Sequence, residues 1–352
     1  MKGEDCFVDG ISTALPPLAI TQGEGAAFLK ASYDGRLRPA SLKLMERVFA
    51  HPSVKSRRFA FADASSLVDE DPDERAARFT DWTLRLSAEA GRGALVKAGL
   101  AVGDVSALVV NTCTGYICPG ISTYLLEEMG LSRSVKAYDL VGSGCGGAVP
   151  NLQLAGALAR ERPDGAVLSV SVEICSCTFQ MGDDASLIVS NAIFGDGAAA
   201  AVVRGKPGGF AVVSSMSRFA PEYREDIRFV HKNGQLHNQL SARLPGIAAG
   251  TAGALVADLL AANGLVRGDI SRWAVHPGGE NVIKAVQETL GLTDADMRCT
   301  RQVLSELGNM SSATVWFILD AMTREGLRPG ELVVMLAFGA GMSAHVCLLR
   351  KV

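Results

Sequence analysis

Three polar residues beside glycines are the candidates for chemistry in this sequence: Cys145 in GSGCGGAVP, His276 in WAVHPGGENVI and Asn309 in LGNMSSATV. Cys145 follows a short predicted strand and precedes a predicted helix, so unpaired N–H groups and the helix dipole should favour a thiolate and lower its pKa. A histidine at a strand end can take the thiol proton, and an asparagine offers uncharged N–H donors for an oxyanion hole. The three residue types together predict nucleophilic acyl transfer.

Each of the three also has a purely structural interpretation. A free cysteine is often a small buried residue, a histidine at a strand end can be satisfied by its neighbours, and asparagine is a good helix N-cap. The eight cysteines include no CxxC pair or matching histidine spacing, so no metal is expected. No role is assigned to the other histidines, which are His51, His231, His237 and His345.

The glycines of GSGCGG (142–147) also spell G-x-G-x-x-G between a predicted strand and a predicted helix. This is the pattern of a dinucleotide-binding loop, which needs an acidic residue closing the next strand about 20 residues later. Asp164 lies before that strand, and Glu173, near its end, comes modestly late. An NAD-dependent oxidoreductase is therefore a remote alternative, and it leaves the histidine and the asparagine unexplained.

An internal repeat positions the candidate residues. GDVSALVVN (103–111) and GDISRWAVH (268–276) match in pattern and lie 165 residues apart (268 minus 103). At the same offset, the CGGA that begins with Cys145 falls on the MSSA that follows Asn309, and similar helical stretches come after both. The repeat therefore brings Cys145 and Asn309 to opposed helix starts across a pseudo-twofold axis.

The first copy of the repeat is longer than the second. FGDGAAAAVV (194–203) and FGAGMSAHVC (338–347) lie 144 residues apart (338 minus 194), so the first copy has 21 additional residues (165 minus 144). These fall within roughly 175–195 and are a candidate cap over the site. The polar stretch 222–245 contains NG and LPG turn signals and predicts a linker with a small hairpin.

The strands of the repeating unit predict a layered α/β fold. AVLSVSVEI and ELVVMLAF are almost continuously apolar, which is typical of strands covered by helices on both faces. Two such units packed together give five layers in the order helix, sheet, shared helices, sheet, helix. We expect one half over residues 1–221, carrying the cysteine, and a second over 222–352, carrying the histidine and the asparagine.

Composition limits the partners of the chain. Its 352 residues are 48% hydrophobic and carry a net charge of −3 without a long Lys or Arg run, which disfavours nucleic acid and anionic membranes. We therefore expect a small-molecule substrate. MKGEDCFVDGIS at the amino terminus has acidic residues where a signal peptide needs apolar ones, and nowhere do 18 apolar residues follow one another. A cytoplasmic protein without stable membrane insertion is expected.

The combination of GSGCGGAVP, WAVHPGGENVI, LGNMSSATVWFILD and the FGDG and FGAG turns resembles the thiolase superfamily and, within it, the type III polyketide synthases, which are chalcone-synthase-like enzymes. The resemblance covers nearly the whole chain. It implies a thiolase-like αβαβα fold made of two pseudo-repeated halves, a homodimer, and a catalytic triad of Cys145, His276 and Asn309.

The resemblance also implies a mechanism without metal or cofactor. Cys145, as a thiolate paired with His276, takes the acyl group of an acyl-CoA starter. His276 and Asn309 bind the thioester carbonyl of malonyl-CoA and stabilise the enolate that forms on decarboxylation. The enolate attacks the acyl-cysteine in a Claisen condensation, and repeated extension ends in cyclisation.

Further positions take their roles from the same resemblance. Phe194 resembles an aromatic gatekeeper between a substrate tunnel and the catalytic cavity, although it could be a plain core residue. The basic run near residue 57 resembles a surface that binds coenzyme A phosphates, although such a run is more often a solvated face. The implied cavity-lining residues are Thr178, Ser190 and Ser311, those beside the pantetheine arm are Gly278 and Gly279, and those at the phosphates are Lys55, Arg57 and Arg58.

Departures from the plant enzymes resemble the bacterial branch. Asn238 or a neighbour stands where plant enzymes have a second gatekeeper phenylalanine, and Ala340 replaces a proline. Cys113 and Cys118 stand where plant enzymes have a threonine and the methionine that crosses to the other subunit. Many bacterial members take fatty acyl-CoA starters to alkylpyrones or alkylresorcinols, so a long-chain starter is a hypothesis for this chain.

Two alternatives within the superfamily stay open at this point. A 3-ketoacyl-ACP synthase of the initiation type shares the fold, the triad and a GN-SSA motif, but performs one condensation with carrier-bound malonyl. The longer chain and GNMSSATVWFIL favour the polyketide synthase. A non-catalytic partner subunit is the other alternative, and the presence of all three polar residues argues against it.

Overall fold

The computed structural model describes residues 6–232 and 235–352. The strands are β1 (Phe7–Ala14), β2 (Leu18–Thr21), β3 (Ser56–Phe59), β4 (Val105–Asn111), β5 (Lys136–Leu140), β6 (Ala166–Ile174), β7 (Asp196–Arg204), β8 (Phe210–Phe219), β9 (Ile227–Lys232), β10 (Gln235–Leu240), β11 (Arg272–Val275), β12 (Leu332–Gly339) and β13 (Ser343–Lys351). The helices are α1 (Gln22–Tyr33), α2 (Pro39–Phe49), α3 (Pro72–Lys97), α4 (Ile121–Glu128), α5 (Ala148–Glu161), α6 (Ala185–Ile193), α7 (Leu244–Ala262), α8 (Glu280–Leu290), α9 (Arg298–Leu307) and α10 (Thr314–Glu325).

Two similar half-sheets make up the central sheet. Its order is β11-β12-β13-β8-β1-β7-β6-β4-β5, and the halves meet where β1 pairs with β8 through Phe7–Ala211 and Val8–Phe210. In each half, parallel strands (β5, β4 and β6 in the first, β11 and β12 in the second) are followed by antiparallel ones. The repeat seen in the sequence is therefore present in the topology, with β4 equivalent to β11 and β7 equivalent to β13.

Helices cover both faces of each half-sheet. The middle layer is α5 and α10, whose Leu152 and Trp316 lie in one buried cluster with Val109 of the first half and Met335 of the second. On the outer faces, α3 packs against β1, β6 and β7, while α7 packs against α8 and β13. All nine residues of β6 are buried, as expected for a strand between two helical layers. The predicted five-layered thiolase-like fold is confirmed.

The junction between the halves differs in detail from the expectation. The predicted hairpin is present as β9 and β10, while its NG turn, residues 233–234, lies outside the described residues. LPG is not a turn, because Leu244 begins α7 and a proline is well accommodated in the first turn of a helix. The boundary at 221/222 stays a prediction; β8, which precedes it, pairs with β13 of the second half.

A cap lies over one end of the first half. The 21-residue excess of the sequence contains α6, and α6 packs against α2 and β10. Leu29 of α1, Phe49 of α2 and Ile188 of α6 share a small buried cluster. Among the described residues, one helix, α7, is long and apolar enough to cross a membrane, and its contacts with α8 and β13 place it against the core.

Candidate active site

The turn that carries Cys145 packs closely against the second half of the chain. Gly144–Gly146 form a short 3-10 turn between β5 and α5, and Gly144 has φ +54°. A Cβ on Gly144 would lie 2.8 Å from the backbone nitrogen of Ala340, and a Cβ on Gly146 would lie 2.7 Å from the ring of His345. Gly144 and Gly146 thus allow a close approach of two chain segments.

Ser311 connects the candidate nucleophile to its surroundings. Its hydroxyl donates to the Cys145 sulfur at 3.2 Å and lies 3.1 Å from the Cys113 sulfur, while its backbone N–H donates to Asn309 Oδ1 at 2.8 Å. Ser311 has φ +47°, a left-handed conformation that non-glycine residues rarely adopt and that clusters at functional sites. The structure therefore brings Cys145 and Asn309 together across the two halves, as the repeat predicts.

The side chain of Asn309 has a fixed orientation. The residue is 1% exposed, and its Oδ1 accepts from the Ser311 N–H and, at 3.4 Å, from the Thr314 hydroxyl. Since a backbone N–H can only donate, the oxygen must face that turn and Nδ2 must point away from it. The structural interpretation of Asn309 as a cap and its interpretation as a donor are both compatible with this geometry.

His276 directly follows β11 and is 1% exposed. Its backbone N–H donates to Leu336 O at 2.8 Å, and its ring stands edge-on to Phe338 with centroids 5.5 Å apart. Within the described part of the chain its Nδ1 has no hydrogen-bond partner. This partnerless buried nitrogen means that the neighbours do not fully satisfy the ring, against the purely structural interpretation.

Burial controls the protonation of both groups. It raises the pKa of the Cys145 thiol to about 12, opposed by the Ser311 hydroxyl and reinforced by the Glu173 carboxylate. It also lowers the pKa of His276 to about 3. Each group taken singly is therefore neutral near pH 7, and the lowered thiol pKa expected from the helix start is wrong for this state. A thiolate requires a proton acceptor that becomes charged at the same time.

Glu173 is a buried carboxyl group behind the nucleophile that the sequence did not assign to this site. It accepts hydrogen bonds from Ser312 Oγ, Cys113 N at 3.0 Å and Thr114 Oγ1 at 3.0 Å. Burial raises its pKa, and these donors lower it. The sequence presents Glu173 as the end of an apolar strand and as a late acidic residue for the dinucleotide-loop pattern, and no motif marks its contact with the Cys113 loop.

Folding stability should decrease as the pH falls from about 6.5 toward 4. Burial lowers the pKa of His345 from 6.5 to about 4, so this ring, like that of His276, stays neutral in the folded chain at pH values where the unfolded chain binds the proton. Each such histidine removes up to about 1.4 kcal/mol of unfolding free energy per pH unit in this range. Denaturant unfolding at pH 7 and pH 5 measures the loss.

A matched pair of variants isolates this effect. His345→Gln should show a smaller loss of unfolding free energy between pH 7 and pH 5 than the wild type, because one proton-binding group is gone from the unfolded chain. His51→Gln, at an exposed position, should follow the wild type. An equal loss in all three proteins would contradict the assignment of acid sensitivity to the buried ring.

Two cavities share a wall, and Cys145 lines the first of them. The first, which we call the nucleophile cavity, has about 430 Å³ of empty space, and the second, the aromatic cavity, has about 680 Å³, in both cases counting the open space at the mouth. His276 and Asn309 are absent from both linings. The nucleophile cavity is lined by Cys113, Thr114, Gly144, Cys145, Ile227, Arg228, Phe229, Leu240, Ser311 and Ala340, together with the residues of the shared wall, which are Cys175, Thr178, Phe194 and Asn238.

The aromatic cavity lies between the cap and β3. Its lining includes no carboxylate and is rich in phenylalanine and leucine. Phe194 stands in the wall between the two cavities, where a gatekeeper would stand. The lining residues beyond the shared wall are Ile20, Gly25, Phe28, Leu29, Phe49, Arg57, Phe59, Phe61, Ala64, Leu67, Ser176, Phe179, Leu187, Ser190 and Asn191.

The remaining predicted positions are divided between cavity and surface. Cys118 is exposed and lines neither cavity. Gly278 and Gly279 form the loop after His276, both with positive φ. Each of the other predicted lining residues borders at least one cavity, these being Cys113, Thr178, Ser190, Phe194, Asn238 and Ser311.

The basic run does not form a single surface. Lys55 is exposed and Arg58 donates to Pro17 O at 2.8 Å, so both lie within reach of solvent. Arg57, in contrast, is only 3% exposed and points into the cap. Because β3 pairs with β2, successive side chains alternate between its two faces, which is why Arg57 departs from the predicted phosphate-binding surface.

The fold places the protein among the thiolase-like enzymes. PKS-I from the brown alga Ectocarpus siliculosus superposes with a TM-score of 0.90 at 26% identity over 100% of both chains. The C-terminal type III polyketide synthase domain of Steely1 from Dictyostelium gives 0.91 at 24% identity over 99% of both chains, a likeness of fold.

The chain belongs to the chalcone and stilbene synthase family. The C-terminal domain of chalcone and stilbene synthases matches residues 211–352, and the N-terminal domain matches 61–207. A 1,3,6,8-tetrahydroxynaphthalene synthase from Streptomyces peucetius subsp. caesius is 32% identical over 97% of this chain and 92% of its own. The alpha-pyrone synthesis polyketide synthase-like Pks18 of Mycobacterium tuberculosis is 28% identical over 96% and 89%.

The protein is thus a type III polyketide synthase, an acyltransferase that extends a chain by iterative decarboxylative condensation. This confirms the prediction made from the motifs and decides against both the initiation-type synthase and the oxidoreductase.

Proposed function

We propose that Cys145, His276 and Asn309 are the catalytic triad of this synthase. The observation that carries the proposal is the hydrogen-bonded path from the Cys145 sulfur through Ser311 to Asn309, which joins helix starts from the two halves. His276 emerges from β11, one strand away from the β12 end against which the Cys145 turn packs. Acyl-CoA and malonyl-CoA are the substrates, and no cofactor takes part.

The loading step follows from the neutral resting state. Cys145 transfers its proton to His276 as its sulfur attacks the starter thioester, so the two charges form together and stabilise each other. The carbon–sulfur bond to coenzyme A breaks as the bond to Cys145 forms, and the departing thiolate takes the proton from His276, which returns the imidazole to its neutral form. The acyl group is then held on the enzyme.

The extension step uses the other two residues. The Asn309 Nδ2 group and the His276 imidazole donate to the malonyl thioester oxygen, where negative charge develops as carbon dioxide leaves. The resulting enolate carbon attacks the acyl-cysteine carbonyl, and the carbon–sulfur bond to Cys145 breaks. Cys145 leaves as a thiolate, which can attack the thioester of the extended chain and load the enzyme again, with coenzyme A departing as a thiolate that solvent protonates.

The starter proposed for this chain is a long-chain acyl-CoA, giving an alkylpyrone or alkylresorcinol. The aromatic cavity supports it, because it adjoins the nucleophile cavity through the shared wall and has a lining in which each buried methylene contributes about 0.8 kcal/mol. The relative named for alpha-pyrone synthesis favours the same type of product. Mass spectrometry of products from acyl-CoA starters of graded length with malonyl-CoA tests the proposal.

Thr178→Phe should block long starters selectively. Thr178 lines both cavities, so a ring at this position enters the passage between them. For a twelve-carbon starter, kcat/KM should fall by about tenfold or more, and for acetyl-CoA by less than about threefold. Thr178→Val is the matched control, since it removes the hydroxyl without adding bulk. Equal losses for both starters in Thr178→Phe would show that long chains do not use the aromatic cavity.

A homodimer in the cytoplasm is the proposed assembly. Its supporting observation is a set of exposed apolar side chains, of which Tyr138 lies in the edge strand β5 and Val141, at 62% exposure, directly follows it. Tyr124 of α4, which packs against β5, and Tyr116, at 79%, are exposed as well. Covering such a patch with a second copy removes apolar surface from water. Sedimentation equilibrium measures the assembly state.

A further inference from the structure

Arg57 is a buried cation that the proposed mechanism does not use. It forms no ion pair with any described carboxylate, and burial lowers the pKa of its guanidinium to about 9. Its guanidinium lies over the rings of Phe49 and Phe59, at 5.6 and 4.9 Å from their centroids. A charge kept in such surroundings needs a compensating group nearby.

Two groups compensate the charge: the buried Asp196 carboxylate, which raises the pKa of Arg57 against the effect of burial, and the carboxyl-terminal end of the cap helix α6. Arg57 Nη1 donates to Asn191 O at 2.6 Å and to Phe194 O at 2.8 Å. The last carbonyls of a helix have no partner inside it and carry the negative end of its dipole, so a guanidinium there satisfies acceptors and charge together.

Every carbonyl at this helix end has a partner. Gln22 Nε2 donates to Ala192 O at 2.8 Å, and Gln22 Oε1 accepts from Arg57 Nε at 3.1 Å. The remaining carbonyl, that of Ile193, accepts from the Asn309 N–H at 2.8 Å. Arg57 and Gln22 thus form a clamp that holds the segment ending in the gatekeeper Phe194.

The same clamp reaches the segment that carries Asn309. A Cβ on Gly308 would lie 2.7 Å from Arg57 Cγ, so the arginine stem packs directly on that backbone. Gly308 has φ +75°. The backbone carbonyl of Asn309 accepts from the N–H of Gly195, the residue after Phe194, at 3.0 Å. One side chain therefore supports both the wall between the cavities and the backbone of the proposed oxyanion donor.

We propose that Arg57, supported by Gln22, is a positioning residue that sets the place of Phe194 in the wall between the cavities and thereby the size of starter the enzyme selects. The inference rests on the proposed function, in that the two cavities receive starter acyl chains. It concerns selectivity, which a purely structural arginine would not alter once the protein has folded.

The test compares starters within each variant. Arg57→Met keeps the stem but removes the donors, and Gln22→Leu removes the support of the guanidinium while leaving its charge. The measured quantity is the ratio of kcat/KM for a twelve-carbon acyl-CoA to that for acetyl-CoA. We expect this ratio to move toward unity by about tenfold in Arg57→Met and by a smaller factor in Gln22→Leu. The reason is that a Phe194 ring displaced by a fraction of an ångström discriminates less between long and short starters.

Arg204→Met is the matched control. It breaks a part-buried ion pair with Asp9 at the far end of β7, so it should lower the melting temperature without moving the ratio. A folded Arg57→Met protein with a lowered melting temperature and the wild-type ratio would overturn the inference. If Arg57→Met does not fold, the test rests on Gln22→Leu. A wild-type ratio of the two kcat/KM values in that variant would overturn the inference as well.

The two proposals fail in different ways. A wild-type enzyme that yields condensation products with none of the starters refutes the proposed starter chemistry. A wild-type enzyme with a measurable preference, retained in both clamp variants, refutes the clamp alone.

Discussion

Replacing Cys145 with alanine should abolish condensation, lowering product formation by roughly 10⁴-fold or more, as removal of a covalent nucleophile does elsewhere. The wild-type protein incubated with an acyl-CoA should gain the mass of the acyl group, and the variant should not. Carbon dioxide release from malonyl-CoA should persist in the variant, because the proposed enolate stabilisation uses His276 and Asn309 and no bond to sulfur.

Cys113→Ala is the control for this experiment. The two sulfurs share the Ser311 hydroxyl, at 3.2 Å for Cys145 and 3.1 Å for Cys113, so each variant removes one hydrogen-bond partner of the same hydroxyl. Cys113→Ala should keep acyl loading and most condensation. If Cys145→Ala still gained the acyl group, or if Cys113→Ala alone failed to gain it, Cys113 and not Cys145 would be the nucleophile.

The parts of the site that the sequence predicted are those whose positions follow from the order of residues along the chain and from the internal repeat. The positions of the turn before α5 and of the ends of β4 and β11 could be predicted from the apolar runs and from the constant offset between the two copies of the repeat. The position of Asn309 opposite Cys145 needed only that offset. Its orientation did not follow, because it depends on the Ser311 N–H in a left-handed conformation that serine seldom adopts.

The surroundings of the site could not be predicted in the same way. The aromatic cavity is lined by α1, α2 and β3, which lie outside the repeated unit, and by the additional segment that contains α6, so no offset places these side chains. Arg57 is one residue of a basic run, and its neighbour Arg58 lies nearer the solvent; only the pairing of β3 with β2 shows which side chain points inward. The prediction of a lowered pKa for the Cys145 thiol was wrong for a related reason. The burial that raises this pKa depends on the close packing around Gly144, which the sequence does not show.

Asn309→Asp should lower malonyl-CoA decarboxylation by about 10²- to 10³-fold, the usual loss for one oxyanion donor. Aspartate has the shape of asparagine, and one carboxylate oxygen can accept from Ser311 N and Thr314 Oγ1 as Oδ1 does now, so the turn should be retained. The other oxygen replaces the Nδ2 donor and places negative charge where the enolate forms. The two charges repel in a site that water does not screen.

The readouts separate this role from a structural one. Acyl transfer to the cysteine should be largely kept in Asn309→Asp, because the nucleophile and His276 are unchanged, while carbon dioxide release falls. Thr314→Val, which removes only the 3.4 Å contact to Oδ1, should stay within about threefold of the wild type in both steps. An Asn309→Asp protein that loads poorly but decarboxylates normally would reverse the assignment, making Asn309 a donor for loading.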